Sequence, residues 1–416
     1  MMSGLTRFGD LAYVRFPGDH DFFFVTEPTL IRRVLVDDHA SFVKGRALQA
    51  GKRLLGEGLL TSEGADHLRR RRLIQPVFSR KRVDGYADAI VDAAEATADR
   101  WSDRGPVDAN AEMMSFALAV VGRTIFDTDV ESEAPEIRAV LNASMRVFHR
   151  FLIPGSDLLW KVPLPATRAF NTSRAGIDRF IYGTIAERRS AADGADDLLG
   201  RLLTARDPDD PHAGLGDTEI RDEAVTLMLA GHETTAQALT WTWYLLARNP
   251  TAEDRMRDEL RSVLNGNRPT AAIVDALPYT RAVFMESLRL YPPVWAIARR
   301  TTGPYELGGW PMRPGGTVVM SQWVVHRDPR WFDDPELFRP QRWIDGPTPP
   351  PGAYFPFGGG PRLCIGERFA ITEGVLALAT MAGRWRVVPD QVGPLTLDPR
   401  FTLRPRGGLP ATTVAA

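Results

Sequence analysis

Helical periodicity is the strongest pattern along the chain. The longest helical stretch runs from about residue 218 to 247, and apolar residues dominate both of its halves, as is typical of a helix buried along much of its length. A second helix is predicted from about Pro278 to Leu290, where Pro292-Pro293 ends it. After Gly366, apolar residues again recur at helical spacing. Buried helices therefore form most of the predicted core.

Short runs of strand-type residues predict a small β region. Ala12–Phe16 and Phe22–Val25, joined by Pro17-Gly18-Asp19, are expected to form a β-hairpin near the start of the chain. Tyr305–Leu307 and Thr317–Gln322, set off by glycine and proline turns, are expected to complete the same sheet. The pattern as a whole predicts a mainly α-helical α+β protein.

Composition and charge narrow the class of protein. With 44% hydrophobic and 25% charged residues, the chain is an ordinary globular protein with a large core. The formal net charge of −1 gives no reason to expect a nucleic-acid partner. The sequence has no Gly/Ser linker or repeat, so residues 1–416 are expected to form a single domain with a short N-terminus. Because no apolar run approaches the length of a membrane span, we expect a cytoplasmic protein without a membrane anchor.

Cys364 is the only cysteine, and its surroundings are unusual. One cysteine forms no internal disulfide and cannot complete a multi-thiolate zinc or iron–sulfur site. It lies in the run Phe357-Gly-Gly-Gly-Pro-Arg-Leu-Cys-Ile-Gly366, just before a predicted helix whose N-terminal dipole favours an anion. Haem iron commonly takes one protein thiolate as its ligand. The alternative is a buried cysteine that packs as a small hydrophobic residue.

The pattern Phe357, Gly360, Arg362, Cys364, Gly366 resembles the haem-binding loop of the cytochromes P450, which are haem-thiolate monooxygenases. The resemblance implies the cytochrome P450 fold, a helical bundle around haem b (iron protoporphyrin IX) with a small β-sheet region. The haem is then expected between the 217–247 helix and the helix after the cysteine. Residues expected to bind it in this loop are Phe357, Gly358, Arg362, Gly366 and Cys364, the last as the iron ligand.

The segment Ala230-Gly-His-Glu-Thr-Thr235 interrupts the long helical pattern. Glycine followed by two threonines is unfavourable in mid-helix, and threonine hydroxyls bond to the preceding turn, so a tolerated kink is one explanation. The other is a groove where the helix crosses the haem and dioxygen fits. The segment looks like the family's acid–alcohol pair, which delivers protons by general-acid catalysis. The resemblance makes Glu233 the acid and Thr234 the alcohol, with Ala230 against the haem.

Glu286 and Arg289 stand three residues apart on the second predicted helix, where they share one face. Such a spacing also occurs by chance in surface pairs. Here it is similar to the family's Glu-x-x-Arg pair, and a later arginine, most plausibly Arg342, closes the family's buried triad. The resemblance implies a structural role, which is to fix the loop that carries the cysteine.

An arginine-rich segment from His67 to Arg72 is most simply a solvated helix face. His67 and Arg71, four residues apart, are similar to the family's His-x-x-x-Arg, which binds the haem propionates. Arg299 aligns with the propionate-binding arginine from the other side, and Arg300 replaces it if the alignment shifts by one residue. The remaining arginines are expected on a basic docking face for an acidic electron donor: Arg69, Arg70 and Arg72.

The resemblance places the substrate pocket only coarsely. The expected lining residues are mostly apolar, although core packing is the simpler role for each one alone. They are Leu59, Leu60, Leu227, Ala230, Val294, Trp295, Ile297 and Phe401. Together they favour a hydrophobic substrate such as a terpenoid, a fatty acid or a polyketide-like molecule.

The implied function is a monooxygenase that inserts one atom of O2 into such a substrate, for example by hydroxylation in secondary metabolism. The sequence shows no flavin or iron–sulfur module, so electrons are expected from a separate ferredoxin and ferredoxin reductase. One alternative is a peroxide-driven or isomerising haem-thiolate enzyme, which tends to lose the acid–alcohol pair. Another is a non-catalytic haem-binding sensor, which would usually carry an output domain. Phosphate binding by the glycine-rich loop is disfavoured because the P-loop pattern is absent.

Overall fold

A computed structural model describes most of the chain: residues 4, 6–16, 20–127, 164–190, 197–207, 214–391 and 393–416. The predicted turn Pro17-Gly18-Asp19 lies outside these ranges. The chain divides into two compact units. The first unit comprises Met1–Gly45, Ala94–Met113 and Thr234–Ala416, and the second comprises Arg46–Ala93 and Met114–Glu233.

Helices dominate the described residues, as the periodicity predicts. In chain order they are α1 Pro28–Arg32, α2 Arg46–Ala50, α3 Lys52–Leu55, α4 Gly64–Ile74, α5 Arg80–Gly85, α6 Ala87–Asp99, α7 Ala109–Val121, α8 Pro165–Ser190, α9 Leu198–Thr204, α10 Asp217–Arg248, α11 Pro250–Leu264, α12 Pro278–Leu290, α13 Gln322–Val325 and α14 Glu367–Met381. The three helices predicted from periodicity are α10, α12 and α14. Proline starts α12 at its first turn, where a missing N–H costs nothing.

The strands are short. In chain order they are β1 Leu11–Phe16, β2 His20–Val25, β3 Phe42–Lys44, β4 Pro106–Asp108, β5 Ile297–Thr301, β6 Tyr305–Leu307, β7 Trp310–Met312, β8 Thr317–Met320, β9 Trp385–Pro389, β10 Leu397–Pro399, β11 Leu403–Pro405 and β12 Pro410–Ala415. The largest sheet has five strands in the order β1-β2-β8-β5-β3. Three smaller sheets contain the others: β4-β12-β9, β6-β7 and β10-β11.

The predicted N-terminal hairpin is confirmed. β1 and β2 pair antiparallel from Leu11 opposite Val25 to Phe16 opposite His20, and β8 joins β2 in parallel. Strand β8 ends at Met320, since Gln322 already begins helix α13. Phe23, Val25, Val318 and Met320 are buried in one cluster beneath this sheet, and each such side chain contributes about 1.5–3 kcal/mol of transfer free energy.

The prediction that Tyr305–Leu307 joins this sheet is wrong. β6 pairs with β7 instead, in a separate hairpin closed by Gly308-Gly309. A two-glycine turn reverses the chain at once, so the strand meets its own continuation before it reaches the sheet. The strand that lies beside β8, on the side away from β2, is β5. The sequence did not predict it as a strand, because arginines occupy its centre at Arg299-Arg300.

Candidate active site

The cysteine loop lies in the first unit and closes on itself through backbone hydrogen bonds. Cys364 N donates to Phe357 O at 2.9 Å, and Leu363 N donates to Gly360 O at 2.9 Å. Helix α14 follows, with Gly366 as its N-cap. The Cys364 side chain is exposed, which contradicts the alternative of a cysteine buried among apolar side chains.

Glycine at position 360 is required by the packing of this loop. Its φ of 65° lies in the left-handed region, and a Cβ there would stand 2.1 Å from Leu35 O. The loop therefore packs against the π-helical segment Arg33–Asp37. Backbone contact on one side and the hydrogen bonds of the loop on the other fix where the thiol of Cys364 stands.

The three residues of the predicted structural triad form one ion-pair cluster in the first unit. Arg289 donates from Nε to Glu286 Oε2 at 2.9 Å and from Nη2 to Oε1 at 2.8 Å. Arg342 Nε donates to Glu286 Oε1 at 3.0 Å. Glu286 and Arg289 are fully buried. Trp343 Nε1 also donates to Glu286 Oε2, at 2.8 Å, so this carboxylate binds side chains from both helix α12 and the segment after Arg339.

His326 connects this cluster to the chain that leads into the cysteine loop. Arg289 Nη1 donates to His326 O at 2.7 Å, and Phe355 N donates to the His326 ring at Nε2, 3.0 Å away. Burial lowers the pKa of His326 well below its ordinary value, and the neighbouring Arg289 and Arg327 lower it further. The ring is therefore neutral at pH 7 and accepts at Nε2 with its proton on Nδ1. Sequence reasoning missed His326, because its partners Arg289 and Phe355 lie 37 and 29 positions away in the chain.

Helix α10 carries the predicted acid–alcohol residues. Glu233, in the second unit, is buried, and Thr234, in the first unit, is half-buried. The next residue, Thr235, is buried and its hydroxyl bonds to Glu373 of helix α14. Burial raises the pKa of Glu373 to about 8, only partly offset by this hydrogen bond, so Glu373 is mainly protonated at pH 7. Glu373 was missed, although an acidic residue within an apolar helix is a visible signal.

The arginine-rich segment forms helix α4 of the second unit. His67 is buried and Arg71, one turn later, is half-buried. The predicted outward docking face is wrong for Arg70, which is buried and donates to Glu223 Oε1 at 3.1 Å. Arg69 is also drawn inward by an ion pair, with Glu219. The reason is that α10 presents acidic residues to α4, which the sequence of α4 alone does not reveal.

The third arginine of the predicted docking face is Arg72. Arg72 is exposed, as expected. A basic docking face built from all three arginines is therefore not present on α4.

Arg299 and Arg300 occupy adjacent positions on β5, so their side chains leave opposite faces of the sheet. The Arg300 guanidinium lies over the turn at Gly315, 3.5 Å from where a Cβ would stand. Arg299 shares the other face with Ile297, two residues earlier. The choice of Arg299, with Arg300 as the alternative, for binding a haem propionate stays a prediction.

The predicted pocket residues gather in two groups, one in each unit. In the first unit, Trp295 Nε1 donates to Arg400 O at 3.2 Å, which brings the segment with Val294 and Ile297 beside Phe401. In the second unit, Leu59 N donates to Glu223 Oε2 at 2.9 Å, and this joins the loop with Leu59 and Leu60 to the helix that carries Leu227 and Ala230. Leu59 and Leu227 are buried, whereas the others are half-buried.

The donor chemistry fits a haem with one thiolate ligand. The thiol of Cys364 is exposed on a backbone-fixed loop, and across the described residues no three or more His, Cys, Asp or Glu side chains cluster as they would around a protein-bound metal ion. One accessible thiolate without accompanying protein ligands is the donor set that a haem iron takes from its protein. Among the described helices, none combines the length and apolar character needed to cross a bilayer.

Comparisons with known proteins agree on one family. The family model described as Cytochrome P450 matches residues 6–410. Cyclooctatin synthase of Streptomyces melanosporofaciens is 41% identical over 392 residues, covering 93% of this chain and 85% of that protein. Pentalenene oxygenase of Streptomyces avermitilis is 36% identical over 411 residues, covering 97% and 88%. The crystal structure of the cytochrome P450DA haem domain superposes with a TM-score of 0.88 at 26% identity, covering 98% of this chain and 90% of that one.

Proposed function

The chain belongs to the cytochrome P450 family, and we propose that its substrate is a terpenoid. It is a haem-thiolate monooxygenase with haem b as its cofactor. The observation that carries the substrate class is the set of relatives: cyclooctatin synthase, pentalenene oxygenase and a cyclooctat-9-en-7-ol 5-monooxygenase that is 36% identical over 392 residues. The apolar character of the predicted pocket residues supports it, because a terpenoid skeleton offers mostly hydrocarbon to bury.

The haem, when bound, supplies an iron centre that activates dioxygen, and thiolate ligation favours O–O cleavage. Cys364 would hold it by one thiolate on a loop fixed by Gly360. Phe357, Gly358 and Gly366 would lie along the ring, and four cationic or histidine side chains would bind the propionates, where arginine suits a carboxylate. These are His67, Arg71, Arg299 and Arg362.

Glu233 and Thr234 would manage protons at the distal side of the ring, with Ala230 leaving space beside them. Thr234 Oγ1 would donate a proton and Glu233 would replace it, which is general-acid chemistry. Glu373 supports this assignment indirectly. Because Glu373 is mainly protonated at pH 7 and bonds to Thr235, it adds little negative charge beside the threonine pair.

Electrons would come from a separate ferredoxin and ferredoxin reductase, and the enzyme would work in the cytoplasm. The family resemblance and the bacterial relatives support both parts of this proposal. Retention of an acid and an alcohol at Glu233 and Thr234 favours a monooxygenase over a peroxide-driven or isomerising enzyme.

The test of the substrate class is an optical titration of the holoenzyme. Monoterpene, sesquiterpene and diterpene hydrocarbons and alcohols are added while the Soret band is followed, with fatty acids and a macrolide as competing classes. We expect a blue shift with terpenoids because an apolar ligand displaces water from the haem. A shift with fatty acids or the macrolide only would overturn the terpenoid proposal.

Thr234→Ala tests the proton role. We expect haem and substrate binding to persist while product per electron pair consumed falls by about 100-fold or more, the scale of a positioned proton donor, with peroxide released instead. Thr242→Ala is the matched control, since this buried threonine of the same helix bonds to Ala238 O at 2.8 Å. Equal coupling in Thr234→Ala and the wild type would remove the role assigned to Thr234.

A further inference from the structure

The loop of residues 56–62 carries two predicted pocket residues, Leu59 and Leu60, and is held by two adjacent carboxylates of α10. We propose that Asp222 and Glu223 are positioning residues that determine substrate selectivity by fixing this loop against the helix. The inference rests on the proposed function in one respect, which is that Leu59 and Leu60 border the substrate pocket.

Each carboxylate accepts a hydrogen bond from the backbone of the loop. Glu57 N donates to Asp222 Oδ2 at 2.8 Å, and Leu59 N donates to Glu223 Oε2 at 2.9 Å. Backbone N–H groups of a loop need hydrogen-bond partners once they are buried. Burial raises the pKa of Glu223 to about 7, and the bond from Leu59 N and the nearby Arg70 oppose that rise. The donors Glu57 N and Leu59 N are two residues apart in the loop, and their acceptors are adjacent on α10. Both bonds form together in a single alignment of the loop along the helix.

Arginines hold the second oxygen of each carboxylate. Arg70 Nη1 donates to Glu223 Oε1 at 3.1 Å, and Arg221 Nη1 donates to Asp222 Oδ1 at 2.9 Å. Arg70 is itself bound by Asp66, with Nε 2.9 Å from Oδ2. Each carboxylate is therefore oriented by an arginine through one oxygen, and its other oxygen accepts from the loop backbone.

The loop also makes an approach that only glycine permits. A Cβ on Gly56 would stand 2.1 Å from the Asp222 carboxylate, and one on Gly58 would stand 2.3 Å from Thr226 Oγ1. Within the loop, Thr61 Oγ1 donates to Gly56 O at 2.7 Å, so its two ends are tied together. The loop therefore behaves as one body seated on the helix.

This seating controls the distance between apolar side chains. Leu227 follows Glu223 by four residues and thus lies on the same face of α10. Displacing the loop from Glu223 moves Leu59 and Leu60 relative to Leu227, which changes the width of the pocket that they border. Since a buried ion pair is often replaced by apolar residues at no loss of stability, the geometry it imposes is the better reason for its presence.

The experiment compares one helix-side and one loop-side variant in the holoenzyme. Glu223→Leu removes the acceptor of Leu59 N, and Gly58→Ala pushes the loop off Thr226 while both carboxylates remain. Glu223→Gln keeps one acceptor oxygen for Leu59 N at the same volume. Its NH2 then replaces the oxygen that faces Arg70, which still has Asp66 as a counter-charge. The control is Asp197→Leu, because Asp197 is also buried in the second unit, accepts from a backbone N–H (Gly200, 2.6 Å) and pairs with Arg188.

Two readouts are taken. Hydrogen exchange measures protection of the 56–62 peptide, and Soret titrations give dissociation constants for haem-coordinating azoles of increasing size, from imidazole to a bulky diaryl imidazole. Azoles report pocket width whatever the natural substrate is, so a failure of the terpenoid proposal leaves this test intact. The same comparison with a monoterpene, a sesquiterpene and a diterpene follows where the wild type binds them.

We expect Glu223→Leu and Gly58→Ala to lose protection of the loop and to change the large-to-small azole affinity ratio by about tenfold or more, the scale of one altered apolar contact in a pocket. Glu223→Gln should stay within about threefold of the wild type, as expected when the hydrogen bond is kept. An unchanged ratio in either disrupting variant that holds haem overturns the proposal. So does an equal change in Asp197→Leu, since that would make it a general effect of lost buried charge.

Discussion

Cys364→Ser abolishes the thiolate-type spectrum of the reduced carbon monoxide complex and reduces oxygenation to background. Serine nearly matches cysteine in shape, so the Cys364 N to Phe357 O bond and the contact of Gly360 with Leu35 survive. The serine hydroxyl, however, stays protonated near pH 7, and no other cysteine exists to take its place. We expect a loss beyond the ~10–100-fold that follows removal of a second-sphere partner of a metal site.

The measurement is the reduced carbon monoxide difference spectrum of the purified variant, accompanied by its haem content and urea midpoint. Cys364→Ala serves as a second variant without any oxygen or sulfur donor. A midpoint close to that of the wild type separates loss of the ligand from loss of the fold. A thiolate-type band that persists in either variant would show that Cys364 is not the ligand.

What the sequence reveals is mostly local. The bounds of α12 follow from proline at each end and an apolar period between them, and the cysteine loop is recognisable because its glycines, arginine and thiol are contiguous. The pairing of Glu286 with Arg289 needs only helical spacing. Arg342 required the family resemblance, because 53 residues separate it from Arg289 in the chain.

Most of the contacts that the sequence did not predict join residues far apart in the chain. From its own helix, Arg70 is predicted to face solvent, but it bonds to Glu223 of α10. Strand β6 is predicted to join the N-terminal sheet, but the turn at Gly308-Gly309 pairs it with β7. His326 accepts a hydrogen bond from Phe355 N, and Glu373 is bonded by the hydroxyl of Thr235. No period or motif marks the contacts of Arg70 and His326, because burial of a polar side chain is decided by the element that covers it. Glu373 and the Gly308-Gly309 turn did leave signals, an acidic residue within an apolar helix and a two-glycine turn.

The second large effect is expected at Glu286, whose carboxylate accepts hydrogen bonds from Arg289, Arg342, Trp343 and the backbone N–H of Arg339. Glu286→Gln replaces one acceptor oxygen by an NH2 that faces donors, and leaves two buried arginines without their shared counter-charge. Breaking a buried ion pair from one side costs about 3–5 kcal/mol, so we expect a comparable loss in the free energy of unfolding. Urea denaturation measures it.

The harder question is whether this cluster serves the cysteine loop or only the stability of the first unit, and Glu253→Gln separates the two. Glu253 is also buried, and Arg257 Nη2 and Arg386 Nη1 donate to it at 2.8 and 3.1 Å. Arg257 otherwise binds the backbone at Ala382 and Trp385, and Arg386 binds Asp254, so neither arginine contacts the approach to the loop through these bonds. Both variants should lose stability. Only Glu286→Gln should lose haem and thiolate-type spectrum at an equal folded fraction, because Arg289 binds His326 O and the His326 ring holds Phe355 N. Equal haem loss in both variants would reduce the Glu286 cluster to one buried ion pair among others.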